Sequence, residues 1–170
     1  MSKRLLLFSL FFSISLFAFS QQLKHVLLST NGKARYEVSA GNPLLIINDS
    51  GKIQSIVMEP MGEIKYDENT FPHKLGEQNL EFNYDGRLVK IGNTIIQYDL
   101  NGRVDRIGDL VLSYNYQQQI ASIGGYNIRY NTNKTVDQIG VFKVQYNYNG
   151  QVLMVEQSKG LILLQLNFAK

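Results

Sequence analysis

The sequence predicts an all-β protein. Tandem β-hairpins of sixteen residues form an antiparallel meander that curls into a barrel-like or shell-like sheet. Three observations lead there. Phe82, Tyr98, Tyr114, Tyr130 and Tyr146 recur every sixteen residues, and a fixed period over several units marks a repeat architecture. Around each of these rings apolar and polar residues alternate, as on a strand with one buried face. Asx-Gly pairs and lone glycines punctuate the alternating runs, and these are the residues of chain reversal.

Taken in order, the chain opens with MSKRLLLFSLFFSISLFAFSQQ. Lys3 and Arg4 precede an apolar run, Leu5 to Phe17, and Ala18 and Ser20 supply small residues at a cleavage site. That pattern predicts a signal peptide over residues 1–20. The run is shorter than the roughly 20 residues of a spanning helix. A single β-repeat domain is expected over 21–170, with looser units in 24–81 and strict units in 82–156.

The looser units centre on Leu28 to Lys33, Ile47 to Ile56 and Tyr66 to Gly76. The first two are spaced by nineteen residues rather than sixteen. In the third, Pro72 replaces the usual aliphatic, which reads as an irregular segment over Met58 to Gln78.

Each strict unit resolves into two strands. In Leu110 to Tyr116, Leu110, Leu112, Tyr114 and Tyr116 alternate with Val111, Ser113 and Asn115. Phe142 to Tyr148 repeats the pattern, so the tyrosines are expected on a buried face. Asn101-Gly102 and Asn149-Gly150 predict type I′ turns, and Asp85-Gly86, Ser50-Gly51 and Asn31-Gly32 serve likewise. Gln117-Gln118 and Asn133-Lys134 lack glycine and predict looser turns. In the second strand the aliphatics stand three apart, as in Val104 and Ile107. A flat strand cannot bury both, so a bulge or sharp end is expected near the glycine that follows. Gly92, Gly108, Gly124 and Gly140 then permit the next reversal. A closing strand over 161–168 is apolar on both faces in its first half, as a sheet-sealing strand would be.

The apolar face needs a cover, since each buried Tyr or Ile contributes about 1.5–3 kcal/mol. The turn chemistry favours the meander, with a β-solenoid as the alternative. A membrane barrel is disfavoured, because its strands need about 9–11 residues.

Composition narrows the function. There is no cysteine, so no disulfide and no acylation at an N-terminal cysteine are available. Removing Lys3 and Arg4 lowers the formal charge from +3 to +1. So low a charge argues against general nucleic-acid binding.

Tyr-Asp-x-Asn-Gly-Arg-Val-x-x-Ile in Tyr98 to Ile107, and Tyr-Asp-Gly-Arg-Leu-x-x-Ile in Tyr84 to Ile91, resemble YD repeats of the Rhs and teneurin type. The resemblance runs from about Ile47 to Val155 and fades on both sides of Tyr84 to Ile107. It implies a spiralling β-shell on a secreted or cell-surface protein with a binding role. The units here are shorter than that family's, and its encapsulating role is not carried over.

Few side chains point to chemistry. His25 and His73 are the only histidines, and neither stands in a metal-ligand spacing. Asp49, Asp67, Asp85, Asp99 and Asn101 recur at turns, where Asx residues serve the backbone without any metal. No nucleophile elbow and no phosphate loop are present, and no cofactor is expected. Arg87, Lys90, Arg103 and Arg106 hold equivalent places in successive units. They form a possible basic patch for an acidic glycan or envelope component, set against a plain solvated charge pattern. The expectation is an exported, non-enzymatic β-repeat protein with a binding or structural role in the periplasm, at the cell surface or outside the cell. It would not be a transmembrane protein once the signal peptide is removed. The alternatives are a small-ligand carrier built as a closed barrel, and an enzyme built on residues 58–78.

Overall fold

The computed structural model describes residues 22–58, 62–156 and 163–167. The expected signal peptide, the first two residues of the closing strand and its last lie outside them. Every regular element is a strand, and no helix among the described residues is long and apolar enough to cross a membrane.

The strands form two sheets. The smaller holds β1 (Leu23–Ser29), β2 (Ala34–Ser39), β3 (Leu44–Asn48), β4 (Ile53–Val57) and β17 (Leu163–Asn167), in the order β17-β1-β2-β3-β4. Its neighbours are antiparallel except β17, which runs parallel to β1 with His25 opposite Leu163. The larger sheet begins with β5 (Ile64–Tyr66), β6 (Pro72–Leu75), β7 (Gln78–Phe82) and β8 (Leu88–Ile91). It continues through β9 (Thr94–Tyr98), β10 (Val104–Ile107), β11 (Leu110–Tyr114) and β12 (Ile120–Ile123). It ends with β13 (Tyr126–Tyr130), β14 (Val136–Ile139), β15 (Phe142–Tyr146) and β16 (Val152–Glu156), giving twelve strands in unbroken sequence order. Tyr98 and Tyr114 are therefore separated by β10, as a meander requires and a stacked solenoid does not. Neither sheet closes into a barrel.

The two sheets share one core. Val26, Leu28, Tyr36, Val38, Leu45 and Ile47 of the small sheet belong to the same buried cluster as Ile96, Val104, Leu112, Ile120, Ile128 and Val136 of the large one. The strict sixteen-residue units all lie in the large sheet, and the units spaced by nineteen build the small one. The small layer covers part of the large one's apolar face.

Two kinds of turn build each unit. After β8, β10 and β14 the reversal is a two-residue loop with Gly92, Gly108 or Gly140 first, at φ +55°, +53° and +55°. Positive φ at the first position alone is the type II′ pattern. At the other end the expected type I′ turn is not what forms. In Asp99 to Arg103 only Gly102 has positive φ, the Gly102 amide donates to Asp99 O, and the Asp99 amide donates to Arg103 O. This is a three-residue loop, a type I turn closed by a left-handed residue. Asx-Gly suits both loops, so the pair alone did not discriminate. Gln118 and Lys134 hold the same left-handed place at φ +67° and +62°, with the same two backbone bonds. Those turns are not looser than the others; they carry backbone strain that glycine avoids.

The bulge is real but lies at the other end of the strand from the expected one. Val104 pairs with Tyr98 while Arg106 pairs with Gln97, so Asp105 is the extra residue. It falls just after the turn, not before Gly108. This puts Val104 and Ile107, three apart in sequence, on the buried face. The same shift recurs at β4, β6, β8, β12, β14 and β16. The segment around Pro72 is thus a regular hairpin of the series, contrary to the irregular reading.

Candidate functional site

The bulges fasten the layers together. Four of them turn a backbone N–H of the large sheet toward the small one. Val104 N donates to Gly51 O at 2.8 Å, Ile120 N to Asp49 O at 2.9 Å, Val136 N to Gly32 O at 3.0 Å and Val152 N to Thr30 O at 2.8 Å. Two loops of the small sheet thus serve four bulges of the large one, and no buried donor is wasted there.

The bulge carbonyls take a second set of bonds. Tyr98 Oη donates to Leu88 O at 2.6 Å, Tyr114 Oη to Val104 O at 2.5 Å and Tyr130 Oη to Ile120 O at 3.0 Å. Tyr146 Oη donates to Val136 O in the same way. Each ring therefore ties its unit to the one before. Tyr36, from the opposite layer, adds a bond to Tyr130 Oη at 3.1 Å. Burial pushes the Tyr98 hydroxyl up to about 12, against the lowering pull of Arg87. Burial does the same at Tyr130, also to about 12, with the Tyr36 bond working against it. Tyr36, Tyr114 and Tyr146 are raised as well, burial being the first cause in each. The hydroxyls therefore stay protonated at neutral pH, which their role as donors requires.

The turn loops at this rim are hydrogen-bonded within themselves. Asp99 Oδ1 accepts from the amides of Asn101 and Arg103, both at 2.9 Å. Asn48, Asp67, Asn83, Asn131 and Asn147 make the corresponding pair of bonds in their own loops. Of the Asx residues singled out in the sequence, Asp67 and Asp99 serve the backbone in this way, whereas beside Asp49 and Asp85 the role falls to Asn48 and Asn83 and Asn101 only donates its amide to Asp99. No group of His, Asp or Glu able to hold a metal occurs among the described residues. His25 Nδ1 lies 2.7 Å from Glu37 Oε2, and His73 sits exposed on β6.

The proposed basic patch divides between two places. Arg87 and Arg103 stand at equivalent rim positions. Arg103 is 13% exposed, bonds Asp99 through Nε at 2.6 Å, reaches Gln118 Oε1 and lies 3.9 Å from the Tyr114 ring centroid. That geometry is a cation–π stack inside the rim, not a free charge. At Asp99, partial burial works to raise the carboxyl, but the bonds from Arg103 and Asn101 hold it below its usual value. Arg87 lies 5.8 Å from the Tyr98 centroid and 3.7 Å from Asp85. Lys90 and Arg106 stand on the outer face instead, on β8 and β10. Lys90 pairs with Glu81 at 2.6 Å, and Arg106 faces Gln97 and Val111 across the ladder.

Sequence reasoning missed the apolar residues at the loop tips. Tyr84, Leu100, Tyr116 and Tyr148 are fully or almost fully exposed. They occupy one loop position, the second residue of each turn, and Thr132 completes the row. Tyr116 and Tyr148 were expected in the core by alternation, but β11 and β15 end at Tyr114 and Tyr146, where the turn begins. The row was visible as a second sixteen-residue series out of step with the first. A polar group follows each tip: Asp85, Asn101, Gln117, Asn133 and Asn149. With two strands per unit, successive tips lie roughly 10 Å apart.

In comparison with known proteins, no family model matches the sequence, and no curated protein matches it.

Proposed function

We propose that the protein is an exported, non-enzymatic β-repeat module that binds an extended glycan along the rim of its large sheet. The observation that carries this reading is the row Tyr84, Leu100, Tyr116 and Tyr148, held in solvent on internally hydrogen-bonded loops. Soluble proteins seldom expose large apolar groups in a regular series without use. A tyrosine ring offers an apolar face to the C–H face of a pyranose. The amide or carboxylate that follows each tip offers hydrogen bonds to sugar hydroxyls. The roughly 10 Å step between tips is close to a disaccharide repeat, and the rings, at alternate tips roughly 20 Å apart, can engage every second repeat of one chain. Export rests on the pattern of residues 1–20. The resemblance to YD repeats points to the same envelope or extracellular setting. A carrier enclosed by a barrel is not favoured, since both sheets are open.

The test is affinity electrophoresis in gels containing peptidoglycan fragments or neutral β-linked polysaccharides. The intact protein is retarded by at least one of them. Tyr116→Ser with Tyr148→Ser abolishes the retardation and leaves thermal unfolding unchanged, because neither ring is packed. Retardation that persists in the double variant, or its absence with every glycan, refutes the reading.

A further inference from the structure

We propose that the outer face of the small sheet, beside its two turn loops, binds the carboxylate of an acidic sugar between Lys33 and Arg35. The site is separate from the row of loop tips and does not depend on it.

A cleft of about 380 Å³ opens there, with Leu27, Lys33, Arg35, Asn48, Asp49 and Gln54 in its lining. That size falls in the range of small-ligand clefts, about 300–1,000 Å³. The ladder brings the residues together. Ala34 and Tyr36 are buried against the large sheet, so Arg35 between them points outward. Arg35 stands opposite Leu27 of β1 and Asn48 of β3, and directly opposed residues have Cβ atoms about 4.5–5.5 Å apart. The Ser29 amide donates to Lys33 O at 2.9 Å, which sets Lys33 beside the end of β1.

The two cations lack partners. Lys33 and Arg35 are exposed, and among the described residues neither side chain makes a hydrogen bond or an ion pair. Arg103, by contrast, is tied to Asp99, and Lys90 to Glu81. Glu37 follows Arg35 on the same face of β2, but it lies 2.7 Å from His25 Nδ1 and is engaged there.

The neutral groups of the cleft are left mainly as donors. Asn48 Oδ1 accepts from the Ser50 amide at 3.2 Å and from the Lys52 amide at 2.9 Å. A backbone N–H can bond only the oxygen of that side chain, so Asn48 Nδ2 is the atom left for a ligand. Asn31 Oδ1, also in the lining, accepts from Ser29 Oγ. The loops thus use up their own acceptors, while a guanidinium, an ammonium and an amide nitrogen stay open. That set complements an oxyanion.

Two features select a sugar acid among oxyanions. Asp49 brings one negative charge to the cleft. It opposes a phosphate, with close to two charges at neutral pH, more strongly than a carboxylate with one. Asp49 and Gln54 also accept hydrogen bonds from hydroxyl groups, and Leu27 offers apolar surface to the C–H groups of a ring.

The probe is sodium glucuronate, titrated into isotope-labelled protein and followed by NMR. Saturable shifts are expected at the amides of residues 29–35 and 48–54. Glucose, which lacks the carboxylate, should bind at least roughly tenfold more weakly. Arg35→Gln and Lys33→Gln should each weaken glucuronate binding roughly tenfold, with the unfolding midpoint unchanged because both side chains are exposed. Inorganic phosphate should bind more weakly than glucuronate, and Asp49→Asn should narrow that gap. Tyr116→Ser should leave glucuronate binding unchanged, which separates this site from the rim. Absence of saturable shifts, glucose binding as well as glucuronate, or binding indifferent to both glutamine variants overturns the proposal. Tighter binding of phosphate than of glucuronate overturns it as well, since it assigns the cleft to another oxyanion.

Discussion

Gly51→Ala probes the fastening between the layers. Gly51 sits at φ +78°, and a Cβ there would lie 2.0 Å from Tyr114 Oη and 2.6 Å from its Cε1. The left-handed backbone alone costs alanine about 1–2 kcal/mol. The ring must also retreat, which breaks the Tyr114 bond to Val104 O and strains the Val104 bond to Gly51 O. Each lost bond is worth about 0.5–1.5 kcal/mol, so the total is about 2–5 kcal/mol. That is a large part of the 5–15 kcal/mol that typically holds a domain. Gly86→Ala is the control. Its φ is +72°, and nothing stands within 4 Å of the added carbon, so it bears only the backbone cost of about 1–2 kcal/mol. Urea unfolding followed by circular dichroism gives both values. Gly51→Ala should exceed Gly86→Ala by at least about 1 kcal/mol. In a Tyr114→Leu background that excess should vanish, because the clash has gone. Equal losses for the two glycines, or an excess indifferent to Tyr114, would refute the packing of that ring on the loop.

Two further outcomes follow from the same contacts. The tyrosine hydroxyls have folded pKa values above the unfolded value of about 10, reaching about 12 at Tyr98 and Tyr130. Their contribution is complete below the unfolded value and is lost as pH rises through the folded one. Unfolding midpoints measured against pH should therefore fall between about pH 10 and 12, and Tyr98→Phe with Tyr130→Phe should flatten that fall. Among the basic residues, Arg103→Gln should destabilise by about 2 kcal/mol, since it removes charge-assisted bonds from a poorly exposed site. Arg106→Gln should stay within about 0.5 kcal/mol; thermal melts of the two variants decide whether the four cations differ as described.

Much of the fold was legible because repetition amplifies weak signals. The period fixed the strand series, and Val104 with Ile107 announced a bulge. Alternation could not say at which end of the strand the extra residue fell. It also could not say where the strand stopped, so Tyr116 and Tyr148 were assigned to the core although the turn had already begun. The change from sixteen to nineteen residues marked the passage between sheets, yet layer packing is a long-range choice that spacing alone does not encode. Pro72 became intelligible only against the bulge donors: it stands at a bulge position and has no N–H to place there. The basic patch was read from equivalent positions, and the equivalence holds only pairwise, Arg87 with Arg103 and Lys90 with Arg106. What equivalence hid is that Arg87 and Arg103 lie against Tyr98 and Tyr114 of the next hairpin.

Native-state hydrogen exchange at the amides of Val104, Ile120, Val136 and Val152 tests the two-layer account most directly. Bonded across the layers, they should exchange as slowly as Ile107 and Ile123 in the core strands. Exchange as fast as at the loop tips Leu100 and Tyr116 would mean that the small sheet does not rest on the large one.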